Sequence, residues 1–100
     1  MTRSQFRLSA KPGERDGLLR DVDRLEVFVA VRGQPGFLGL TVLVPDDDPD
    51  GVLVEGSWSS PEHFRRWWES RAGETLLREL GPRLAKDVNL VLYHVVDTIS

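Results

Sequence analysis

The chain has 100 residues, of which 40% are hydrophobic and 29% charged, a formal net charge of -3 and no cysteine. That length allows one domain, 1–100, with one core, and its composition is that of a folded protein. Disulfides, thiolate nucleophiles and cysteine-based metal sites are excluded, and the lack of cysteine points to a cytoplasmic setting.

The charges are interspersed and form no basic stripe, so nucleic acid is not an expected partner. A membrane is not one either: no apolar run approaches the roughly 18 residues of a spanning helix, and Met1 to Leu8 lacks the apolar core of a signal peptide.

Gln5 to Ala10 alternates, with Phe6, Leu8 and Ala10 against Arg7 and Ser9, as in a strand with one buried face. Lys11-Pro12-Gly13 ends it. From Glu14, Leu18, Val22, Leu25 and Val29 recur at helical spacing. The run from Glu26 to Val31 is rich in β-branched residues, which favour strand, yet Gly33 and Pro35 form the expected stop after a helix.

Phe37 to Val44 is apolar on both alternating sets: Phe37 and Leu43 on one, Leu38, Leu40, Val42 and Val44 on the other. Such a strand needs cover on both faces. Residues 45–51 make a turn before a strand from Val52 to Trp58. Asp46, Asp48, Asp50 and Gly51 imitate the start of a calcium loop, but its twelfth position is Ser57 and strands flank it, so a solvated turn is expected and no metal site.

Ser59 or Ser60 caps the next helix, with Pro61 near its start and Glu62 placed to close a capping box with Ser59. Phe64, Trp67 and Trp68 share one face of it; Glu62, Arg65 and Glu69 take the other. A helical segment from Glu74 to Leu80 ends at Gly81-Pro82, and Val88 to Val96 reads as the last strand.

The order β-α-β-β-α-β predicts an α+β, ferredoxin-like fold: a four-stranded antiparallel sheet with both helices on one face. Its other face also carries Leu and Val, which predicts a two-fold homodimer, sheet packed on sheet.

Pro35-Gly36-Phe37-Leu38-Gly39 and its strand, with Trp58-Ser59-Ser60-Pro61-Glu62 leading into a helix bearing Phe64 and Trp67, resemble the antibiotic biosynthesis monooxygenase family of dimeric α/β-barrel proteins. The resemblance runs from about Phe6 to about Val96. It implies the fold more strongly than the chemistry, for these motifs are mainly structural. The family includes cofactor-independent oxygenases of aromatic polyketides, quinol oxygenases and haem-degrading enzymes. In the polyketide oxygenases the tryptophan matching Trp58 has an asparagine four residues earlier, where this chain has Val54, and a tyrosine early in the next helix, where it has Phe64. In the haem degraders the tryptophan matching Trp67 works with a histidine ten residues later, here Leu77, and with an asparagine in the first strand, which is absent.

The resemblance implies a cofactor-independent monooxygenase, or a related tailoring enzyme, for an aromatic polyketide-like or quinol substrate. His63, or in second place His94, is then the base beside Trp58 and Trp67, and Phe64, Trp68, Arg66 and His94 surround the substrate. Each of these residues also has a plainer reading. Aromatics at this spacing fill cores, His63 sits in the first turn of a helix, His94 suits a core or an interface, and Arg66 belongs to a mixed-charge solvated face. A non-catalytic dimer holding a small hydrophobic ligand is the alternative function, and a haem-binding protein the third.

Overall fold

The computed structural model describes residues 1–100, with residues 26 and 27 described by their backbone alone. Four strands, β1 (Thr2–Ser9), β2 (Phe37–Leu43), β3 (Gly51–Trp58) and β4 (Asn89–His94), form one antiparallel sheet in the order β2-β3-β1-β4. This is the ferredoxin-like arrangement expected from the order of elements. The helical connections are α1 (Arg15–Arg24), α2 (Glu26–Ala30), α3 (Pro61–Trp67) and α4 (Gly73–Leu80).

The period-2 pattern of β1 decides which face is covered. Thr2, Ser4, Phe6, Leu8 and Ala10 are buried under the helices, and across the ladder Phe6 opposes Val54 and Leu8 opposes Val52. Leu18 and Val22 of α1, Phe64 and Trp67 of α3, and Leu76 and Leu80 of α4 close the core from above.

The first helical stretch differs from the expected single helix. Leu25 is extended, with ψ 117, and splits α1 from α2. The break rotates the following turn, so Phe28 and Val31 are buried while Val29, on the expected apolar stripe, is 64% exposed. Burial of the larger ring outweighs continuity of the helix.

β2 also departs from simple alternation. The register shifts between Phe37 and Gly39, and this bulge turns Phe37 onto the helix-covered face, where its ring meets Trp58 edge to face at 5.3 Å. Leu43 stays on the opposite face, paired with Leu53. That outer face is apolar at Leu43, Leu53, Val91 and Tyr93 around a polar centre. There Gln5 donates to Glu55 at 3.0 Å and Arg3 pairs with Glu55 at 3.6 Å.

Candidate functional site

The aromatic residues gather as one cluster. Trp58, Phe64 and Trp67 are 1%, 2% and 3% exposed. Trp58 lies 5.5 Å from Trp67 and 5.6 Å from Phe64, while Phe6 joins from β1 at 6.1 Å from Phe64. Such pairs add about 0.5–1.5 kcal/mol each beyond area burial. Trp58 donates its indole N–H to Ser4 Oγ at 3.2 Å, so the buried donor and the buried hydroxyl satisfy each other.

Trp68 stacks on Phe6 at 5.2 Å and on Phe64 at 6.0 Å, half buried at the cluster's far edge. Its ring occupies the space a side chain on Gly73 would need. Between Trp67 and Gly73 the chain kinks at Ser70 and Arg71, and Arg71 takes φ 78, the one non-glycine positive φ among the described residues. Ser70 Oγ donates to the carbonyl of Trp67 at 2.6 Å in the same turn.

His63 is held from two sides. Pro61 at the first position makes Ser60 the N-cap of α3: Ser60 Oγ accepts from the His63 backbone N–H at 3.3 Å and lies 2.7 Å from its Nδ1. The capping box expected between Ser59 and Glu62 does not form, because Ser60 is the N-cap and His63 stands at the third helical position. The carboxyl of Glu62 is held below its ordinary value, first by its own backbone N–H, then by the Ser60 hydroxyl and the charge of Arg65. The ring of His63 lies against Gly36, which has φ 79 and whose carbonyl accepts from Ser59 N–H at 2.8 Å.

His94 is exposed at the end of β4, opposite Thr2, and Arg66 is exposed on α3. Leu77 is 46% exposed on α4. The structure thus brings Trp58, Phe64, Trp67 and Trp68 together, places His63 beside the β2 entry loop, and leaves Arg66 and His94 in solvent.

A pocket between sheet and helices is expected of this fold, but the sequence did not name the residues that line the open space next to this cluster. A cleft of about 250 Å³ lies between the α1–α2 segment and β2, with Val22, Phe28, Val29, Leu40 and Val42 as apolar walls and Asp23 and Arg32 as its charges. It falls just under the roughly 300–1,000 Å³ of small-molecule sites. Of the four cavities described it is the one with an aromatic wall. Phe28 stacks on Trp67 at 6.3 Å, with 28° between the ring planes, so the cluster backs the cleft.

His63 and His94 line none of these cavities. Among the described residues no group of three His, Asp or Glu side chains is placed to hold a metal ion. The haem degraders' scheme of axial ligation lacks its histidine here, since Leu77 stands at that position.

The model of one family, antibiotic biosynthesis monooxygenase, matches residues 1–75. The chain belongs to this family. Among curated proteins, the "Heme-degrading monooxygenase" of Bacillus thuringiensis (strain Al Hakam) is 38% identical over 53 residues, 51% of this chain and 50% of that protein. The chain thus spans about half the length of the curated relatives it matches. Among solved structures of the same fold is SnoaB, described as a cofactor-independent oxygenase from Streptomyces nogalater. It is 19% identical, covers 98% of this chain and 95% of its own, and has a TM-score of 0.79. MhuD, solved with two manganese protoporphyrin IX bound per active site, is 22% identical with a TM-score of 0.80, covering 100% of this chain and 99% of its own. The antibiotic biosynthesis monooxygenase fold therefore spans the whole chain, and no helix of it is long and apolar enough to cross a membrane.

Proposed function

We propose that this chain is a small cofactor-independent monooxygenase whose aromatic substrate lies in the cleft over Phe28. The observation that carries this reading is the stack of Trp67 behind Phe28, which gives the cleft a flat, rigid, apolar floor. Membership in the antibiotic biosynthesis monooxygenase family supports it.

In this reading an anthrone or hydroquinone type of substrate loses a proton to water at the open mouth, since neither histidine lines the cleft. The electron-rich anion bonds through carbon to dioxygen. The resulting peroxide takes up a proton and then loses water, so that one oxygen atom stays as a carbonyl and the other leaves. Trp58, Phe64 and Trp67 keep the floor planar, and Trp68 holds the far edge of the cluster. His63 fixes the loop entering β2, while Arg66 and His94 remain at the surface.

The apolar outer sheet face supports a homodimer, and the cysteine-free composition supports a cytoplasmic setting. The test is dioxygen uptake and product mass with a panel of anthrones and hydroquinones. Incorporation of one atom from isotopically labelled dioxygen is expected; no turnover above the uncatalysed rate overturns the catalytic reading. Haem is a second reading, favoured by the curated relatives and opposed by Leu77. Added haemin is expected to give no shifted absorbance band.

A further inference from the structure

The two charges of the cleft sit at opposite ends of α2, Asp23 before it and Arg32 after it. The extended Leu25 and the five residues of α2 lie between them in the chain. The walls between them are the side chains of Phe28, Leu40 and Val42, and no ion pair joins Asp23 to Arg32 among the described residues. The cleft thus combines apolar walls with one acidic and one basic residue that are not paired with each other among the described residues.

Several other arginines are engaged elsewhere: Arg3 with Glu55, Arg83 with Glu14 and Asp21, and Arg15 with the carbonyl of Asp48. Arg32, like Arg7, Arg20, Arg24, Arg66 and Arg71, has no such partner among the described residues, and of these it is the one that lines this cleft. A guanidinium is also the cation best suited to this place, because it is planar, always charged, stacks on ring faces and binds a carboxylate through two N–H groups.

The geometry points to a substrate class: a small aromatic anion, its carboxylate or ionised phenol held by Arg32 and a hydroxyl at its far end donating to Asp23. This rests on the cleft being the substrate site, and it names Arg32 and Asp23 as the residues that set specificity. A ligand with an anion at both ends is disfavoured by Asp23, and a cationic one by Arg32.

The test is calorimetric titration of the full chain with four probes: naphthoate, dinitronaphtholate, neutral naphthalenemethanol and a hydroxynaphthoate bearing its two groups at opposite ends. Naphthoate and dinitronaphtholate are expected to bind about threefold to tenfold more tightly than the neutral probe, a range set by the exposure of Arg32. That preference shrinks in high salt. The hydroxynaphthoate is expected to gain a further factor of about three.

Arg32→Gln should erase the preference for anions while leaving naphthalenemethanol binding unchanged, and Arg32→Lys should restore part of it. Asp23→Asn should weaken the hydroxynaphthoate gain and leave naphthoate at least as tight. An anion preference that survives Arg32→Gln, or no binding by any probe, overturns the inference. If the probes bind as stated and no substrate is oxygenated, the catalytic reading fails and the binding assignment stands.

Discussion

The imidazole of His63 fills the space where a side chain on Gly36 would project, so the loop entering β2 and the first turn of α3 are locked face to face. Gly36 also has φ 79, a conformation that costs a side-chain-bearing residue about 1–2 kcal/mol. Gly36→Ala thus combines backbone strain with overlap against a ring fixed by Ser60. A loss of about 2 kcal/mol or more is expected, a fall of roughly 10 °C in melting temperature for a domain of this size. Thermal unfolding followed by circular dichroism measures it, and an unchanged midpoint would show that the loop can move away from the ring.

A second prediction concerns the hydrogen bond from Trp58 to Ser4, both almost wholly buried. Ser4→Ala leaves the indole N–H without a partner, at a cost of about 1–3 kcal/mol. In a Trp58→Phe background the same change removes a hydroxyl that has already lost its donor, so its cost should fall by about 1 kcal/mol. Denaturant melts of the two single variants and the double variant give the coupling. Strict additivity would mean that the bond contributes nothing.

Much of this architecture was legible beforehand, for a physical reason. Period-2 apolarity in Phe6 and Leu8, the turn at residues 45–51, and Pro61 after two serines are local signals, and the strand order follows from the order of elements. The misplaced core features depend on contacts between distant segments, whereas the cap of α3 differs only in which of two adjacent serines serves. Phe28 displaced Val29 from the core because Trp67 offers it a face to stack on. Phe37 changed sides because a bulge brings it to Trp58. The lining of the cleft was illegible for the same reason: Phe28 and Arg32 meet Leu40 and Val42 only once the chain has folded back. The aromatic density of Trp58, Phe64 and Trp67 stood out in the sequence, whereas the side chains around the open space it supports did not.

Acid should weaken the start of α3. The carboxyl of Glu62 is held below its ordinary value near 4.5, chiefly by its own backbone N–H. A carboxylate with a depressed folded value contributes stability that is present above its unfolded value and lost as pH falls through the folded one. Melting temperature followed from neutral pH into the acid range should therefore fall more steeply, below about pH 4.5, for the parent chain than for Glu62→Gln. Parallel curves would remove the carboxylate from the account.

The outer sheet face gives the fourth prediction. Light scattering after size exclusion should return twice the 11.3 kDa chain mass, with Leu43 and Leu53 inside the contact. Leu53→Asp places an unpaired charge there and should yield the single-chain mass with the circular dichroism spectrum kept, because Leu53 lies outside the main core. A dimer that tolerates this change would use another surface.

The bulge between Phe37 and Gly39 bears on how such chains meet. An open sheet ends in two rows of unpaired amide groups that can template addition of further strands. In this order of strands β2 is one of those rows, and the register shift disrupts its ladder and increases its twist just where it begins. The same distortion that turns Phe37 inward toward Trp58 makes this border a poor match for another strand laid alongside. Growth into fibres through that border is thereby disfavoured.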